Sequence, residues 1–114
     1  NSGGHSRQMP YEFQPLAVDG PIAYRTCLPL PHLASRLREA NIPAQVSYHA
    51  GTYLCNATLY LSHHVCASAG LRTKATFVHL PLDLSQVMDR DEILPSLPAA
   101  ESARALRLIL EELA

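Results

Sequence analysis

The sequence predicts an α/β layered fold, and three observations carry that prediction. Segments with helical spacing alternate with short segments rich in β-branched and aromatic residues, Pro and Gly stand at the joins, and the C-terminal stretch carries the clearest helical stripe. Ahead of this alternation, Gly3, Gly4, Pro10 and Pro15 keep no sustained period. Residues 1–18 are therefore expected as a polar loop and residues 19–114 as the globular part.

Taken in order, Tyr24 to Leu28 is a short strand, and Pro29 and Pro31 mark the start of a helix with Leu33, Leu37 and Ala40 on one face. Asn41 is its expected stop. Gln45 to Tyr48 is a second strand, cut off by Ala50-Gly51, where the backbone can bend without a Cβ penalty. From Cys55 to about Ala69 the spacing is helical, with Leu54, Leu61 and Val65 on one side and Gly70 placed as a C-terminal cap. Ala75 to Leu80 is β-branched and aromatic enough for a buried strand, ended by Pro81. Ala99 to Leu113 is a helix whose expected apolar stripe is Leu106, Ile109, Leu110 and Leu113, with Pro98 at its first turn.

Composition narrows the partners. The chain has 114 residues, 47% hydrophobic and 17% charged, as in ordinary globular chains. At this size it buries a smaller share of its surface than a domain of ~200 residues would, so it is read as a piece of something larger. Its formal net charge of −1, with no basic run, argues against nucleic acid as a partner. No apolar run reaches the ~18 residues a spanning helix needs, which argues against a membrane. The opening Asn1-Ser2-Gly3-Gly4-His5 has neither an initiating Met nor an apolar signal core, and reads as a chain cut inside a polar loop. Cys27, Cys55 and Cys66 are odd in number and form no CxxC pair. They argue against a disulfide framework and a zinc site, and fit a reducing, cytoplasmic compartment.

One cysteine is placed for chemistry. A thiol attacks a carbonyl as thiolate, and a free cysteine with pKa ~8.5 is mostly protonated at neutral pH. Cys55 stands at a helix start, where first-turn N–H groups and the macrodipole favour negative charge by about 0.3–1 kcal/mol. That is too little to activate a thiol alone. A histidine at the C-terminal end of a neighbouring strand would supply the rest, and His79 holds such a position. Cys27 and Cys66 have no activating neighbourhood in sequence and are read as inert packing residues. His63 and His64, adjacent on a helix and so about 100° apart, cannot share a metal face and are read as a solvated helix end. Asp89, Asp91 and Glu92 are read as a solvated acidic loop, and no glycine-rich phosphate loop is present.

Together these residues resemble a known family. Ala50-Gly51-Thr52-Tyr53-Leu54-Cys55-Asn56, continuing to Tyr60, is similar to the active-site motif of pyroglutamyl peptidase type I, in which the cysteine opens a helix. Asp19-Gly20-Pro21-Ile22-Ala23-Tyr24 with Leu28-Pro29, then Ile42-Pro43-Ala44, then Phe77-Val78-His79-Leu80-Pro81 follow the same pattern, and the interval from Cys55 to His79 is the family's. The resemblance implies a three-layer α/β/α sandwich, of which this chain is the C-terminal part. It also implies hydrolysis of the amide that joins an N-terminal pyroglutamyl residue to a peptide, with Cys55 as nucleophile and His79 as its base. Tyr53 and Leu54 would line the pyroglutamyl pocket. No cofactor or metal is implied, and the family is often a homotetramer.

The chain also departs from the pattern. The family's orienting glutamate, the aromatic residues that grip the ring and an arginine near the oxyanion belong to blocks ahead of this sequence, so the triad is incomplete within these 114 residues. Arg7 is a poor substitute for the arginine, and Asp83 is the one nearby acid to consider as an orienting group, with Pro81 intervening. Two other readings stand beside the peptidase: another thiol amidohydrolase using the same Cys and His, and a non-catalytic assembly unit. Limited iodoacetamide treatment near pH ~7, followed by peptide mapping, is expected to label Cys55 first. Equal rates at Cys27 or Cys66 would refute the activation argument.

Overall fold

A computed structural model of the chain describes residues 17–114, so the loop expected over residues 1–18 lies almost wholly outside the described residues, as does Arg7. Four helices follow in order: α1 (Leu30–Glu39), α2 (Leu54–Ser68), α3 (Leu84–Val87) and α4 (Ala99–Leu113). They fall into two compact units. One comprises Ser47–Phe77 with the described residues up to Leu28, and the other comprises Pro29–Val46 with Val78–Ala114.

The second unit is built on α1 and α4. Pro29 caps α1 and Pro31 sits in its first turn, where a missing N–H costs nothing. Its inward face is Leu33, Ala34 and Leu37. The helix ends at Asn41 as expected, and it does so through a left-handed φ of 62°. Asn41 N–H donates to Arg38 O at 3.0 Å and Ile42 N–H to Leu37 O at 2.9 Å, the paired bonds of a Schellman motif. The turn folds Ile42 back onto Leu37, where it is 2% exposed, and Ala105 of α4 completes the cluster with Leu97, Leu108 and Ile109 around it.

The stripe expected on α4 is rotated. Its buried residues are Ser102 and Ala105, whereas Leu106, Leu110 and Leu113 stay exposed. Leu106-Arg107-Leu108-Ile109-Leu110 offers two apolar faces, and the one bearing small residues lets the backbones of α1 and α4 approach closely. Arg104 adds a polar tie, donating to Ala40 O at 3.1 Å and to Glu101 Oε2 at 2.7 Å. Glu112 meets His32 Nε2 at 2.5 Å and Arg36 Nε at 3.8 Å, exposed pairs that add little stability.

In the first unit, α2 ends as the sequence predicts. Gly70 has φ +64°, its N–H donates to Ala67 O at 3.2 Å, and Leu71 N–H donates to Cys66 O at 2.9 Å, a second Schellman motif. The predicted stripe is not a core face: Leu54, Leu61 and Val65 are exposed, and no residue of α2 is buried.

None of the three predicted strands carries a ladder among the described residues. The one pairing is an isolated parallel bridge between Leu82 and Ser96, supported by Leu97 N–H donating to Leu82 O at 2.9 Å. Ala75 to Leu80 is not buried, with Val78 and Leu80 both exposed. The physical reason is that β propensity expresses fit to a sheet already flanked by other strands, and a lone segment has no such surface to fit. Thr26 Oγ1 donates to Ala75 O at 2.6 Å and links the first of these segments to the third through a side chain.

Ile42→Ala is expected to destabilise the chain by about 2–5 kcal/mol, read from urea unfolding, because it empties the centre of the α1–α4 cluster.

Candidate active site

Residues 47–53 set the direction of α2. Ser47 Oγ donates to His49 O at 2.7 Å, and Gly51 N–H donates to His49 Nδ1 at 3.3 Å, closing a tight loop beside the buried Ala50. Gly51 has φ +85°, a conformation that side chains strain to adopt, so glycine is needed there for its backbone and not for space. The chain then enters α2 at Leu54, with Tyr53 as N-cap and its carbonyl accepting the first helical bond from Ala57 N–H at 3.0 Å.

Cys55 is thus the second residue of α2 and half-buried. Among the described residues no side chain caps the first turn, and Tyr53 has no oxygen short enough to fold back onto it. First-turn N–H groups that no side chain caps suit a developing oxyanion, and they stand beside the thiol. Tyr53 is half-buried and Leu54 is exposed, so the structure brings Tyr53, Leu54 and Cys55 together at one helix start. His79 is exposed and belongs to the other unit. Cys66 is half-buried, but Cys27 is exposed, which corrects the reading of it as a packing residue.

Asp83 serves another purpose than orienting a histidine. Its Oδ2 accepts from Ser85 Oγ at 2.6 Å and Ser85 N–H at 3.2 Å, its Oδ1 accepts from Ala99 N–H at 2.7 Å, and Gln86 Oε1 accepts from Asp83 N–H at 2.8 Å. This is a capping box for α3 whose carboxylate also caps α4. The Ser85 hydroxyl, then the Ala99 and Ser85 N–H groups, hold the carboxyl below its ordinary value.

The sequence reading missed a ring cluster on α2. Tyr24 stacks on His63, with centroids 5.7 Å apart, and meets Tyr60 edge-on at 5.0 Å. Tyr24 Oη lies 2.7 Å from His64 Nδ1, and Ser68 Oγ lies 3.3 Å from His64 Nε2. Partial burial among these rings, and then the neighbouring Tyr60 phenol, push the Tyr24 hydroxyl up, so it stays protonated and able to donate. His63 and His64 are half-buried, which corrects their reading as a solvated helix end. The signal was available: Tyr60, His64 and Ser68 repeat at i, i+4 and share a face. No group of three His, Cys, Asp or Glu among the described residues could hold a metal ion, and no helix among them is long and apolar enough to cross a membrane.

The chain is similar to known proteins over nearly its whole length. The family model described as pyroglutamyl peptidase matches residues 6–114. The pyrrolidone-carboxylate peptidase of Thermococcus onnurineus (strain NA1) is 39% identical over 100 residues, covering 88% of this chain and 49% of that protein. Among solved structures, the pyrrolidone carboxyl peptidase of the keratin-degrading Fervidobacterium islandicum AW-1 superposes with a TM-score of 0.78 at 41% identity, over 83% of this chain and 47% of that one. The Pyrococcus furiosus pyrrolidone carboxyl peptidase gives 0.80 at 33% identity, over 86% and 49%. The α/β fold class predicted from the alternation is the fold of these neighbours. The chain spans about half the length of the relatives it matches.

Unfolding followed against pH tests the Asp83 cap. A carboxyl held low in the folded state stabilises above its unfolded value of ~3.9, and that stability is lost as pH falls through the folded value. Asp83→Asn is therefore expected to lower the midpoint at neutral pH and to flatten its acid dependence. The difference from wild type should close as pH falls through the folded-state value.

Proposed function

The chain belongs to the pyroglutamyl peptidase family, and from that premise we propose that it acts as a cysteine peptidase removing an N-terminal pyroglutamyl residue from peptides. The observation that carries the reading is the position of Cys55, second in a 15-residue helix with an uncapped first turn, inside the matched region. Cys55 Sγ, as thiolate, adds to the pyroglutamyl carbonyl carbon. The carbonyl electron pair moves onto oxygen and is held by the Cys55 N–H. His79 takes the thiol proton and gives it to the departing peptide amine as the C–N bond breaks. Water, deprotonated by His79, then attacks the thioester, releases pyroglutamate and restores the thiol. Tyr53 and Leu54 form the wall of the ring pocket. The reaction needs no metal and no cofactor.

The same reading takes the 114 residues as the C-terminal part of one α/β peptidase domain, supported by the single family model that matches residues 6–114. Three free thiols support a reducing, cytoplasmic compartment. Exposed Leu61, Val65 and Leu110 support assembly, for which the family resemblance implies a homotetramer.

In the intact protein, Cys55→Ala and His79→Ala are each expected to remove nearly all turnover of a fluorogenic pyroglutamyl amide, with the double variant little worse than either, since residues that act as one unit are strongly non-additive. Multiplying losses would show that the two work separately. A panel of other acyl amides, hydrolysed as fast, would point instead to a broader thiol amidohydrolase.

A further inference from the structure

Helix α2 carries Cys55, yet none of its residues is buried and, among the described residues, no side chain caps its start. A helix with so few buried contacts owes its orientation to the bonds that remain. Two of them reach back to the segment ahead of α1. Tyr24 Oη meets His64 Nδ1 at 2.7 Å in the middle of the helix, and Tyr60 Oη donates to Pro21 O at 2.6 Å within its first two turns. The second bond passes through a gap that only glycine leaves, because a Cβ on Gly20 would run into the Tyr60 hydroxyl. Gly20 and Pro21 belong to the Asp19–Tyr24 block, which has no part in the reaction proposed above.

At ~100° per residue, Tyr60 and Cys55 leave α2 about 140° apart, so the bond to Pro21 holds the helix from behind and leaves the thiol side open. We propose that Tyr60 is a positioning residue. Its bond to the Pro21 carbonyl, admitted by Gly20, fixes the rotation of α2 about its own axis and with it the aim of the Cys55 thiol. The inference rests on Cys55 being the nucleophile. A displacement of the thiol by ~1 Å is enough to cost as much as ~10²-fold in rate, so one hydrogen bond at this place has leverage on chemistry beyond its effect on stability.

Tyr60→Phe keeps the ring and removes the hydroxyl. In the intact protein it is expected to lower kcat for a pyroglutamyl amide about tenfold with KM within about twofold, and to slow iodoacetamide labelling of Cys55 while Cys27 and Cys66 react as before. Gly20→Ala, which displaces the hydroxyl by steric contact, should do the same, and the double variant should be no worse than either. A merely structural role predicts the opposite sign in labelling, since a loosened α2 exposes the half-buried thiol and leaves its rate unchanged or faster. Either of those results with Tyr60→Phe overturns the proposal, as does a multiplied loss in the double variant. Wild-type protein whose three thiols react alike would sink the nucleophile assignment instead, a separate outcome because the positioning claim is read from the ratio of variant to wild type.

Discussion

The left-handed turn at Asn41 is the constraint on which the core of its unit depends. Without it α1 would run on past Ala40, and Ile42 would leave the helix on whatever face its number dictated. With it, two backbone bonds turn the chain within three residues and return Ile42 to Leu37, so the apolar contact and the carbonyl caps form together. The cluster so made is where α4 docks, with the small Ala105 inside it and Leu108 and Ile109 packed against it. Arg104 then uses the carbonyl of Ala40, one of those a helix end leaves without an intrahelical partner. The polar and apolar parts of the interface thus follow from one change in the sign of φ.

The other unit is organised around polar bonds. α2 is closed at its C-terminal end by Gly70 and begins after Gly51, both at positive φ, so its two boundaries are fixed by backbone conformation and its middle by hydroxyl and ring contacts. The helix start is where the electrostatics favour a thiolate, but the field of one helix is a modest aid. Reactivity there depends on what else is aimed at the sulfur. That makes orientation, more than burial, the property that the residues around Tyr60 have to secure.

Much of this was legible in the sequence because it is local. Asn41, Gly70 and Pro98 mark helix ends through their own φ preferences, and Cys55 lies at a helix start because Gly51 and the spacing after it say so. What was not legible is pairwise and distant. Asp83 looked like a candidate acid until Ala99 was found on its carboxylate, a partner that no short-range pattern indicates. The inward face of α4 was misjudged because large apolar residues were weighted above small ones, although the small ones decide how closely two helices approach. The strands were read from propensity, which describes a fit to neighbours that the described residues do not provide.

Asp83 and Tyr60 illustrate how chemistry and scaffolding are told apart. Asp83 has the type and the position to serve a histidine, but the Ser85 hydroxyl and two backbone N–H groups already draw on its carboxylate. A group whose lone pairs are so occupied holds helices together, and its lowered proton affinity is a consequence of that work. Among the described residues Tyr60 makes one hydrogen bond, to the carbonyl of Pro21. Strength is therefore a poor guide to function in this chain. The bonds that gather on Asp83 stabilise, whereas the one from Tyr60 to Pro21 lies within two turns of the residue that would react.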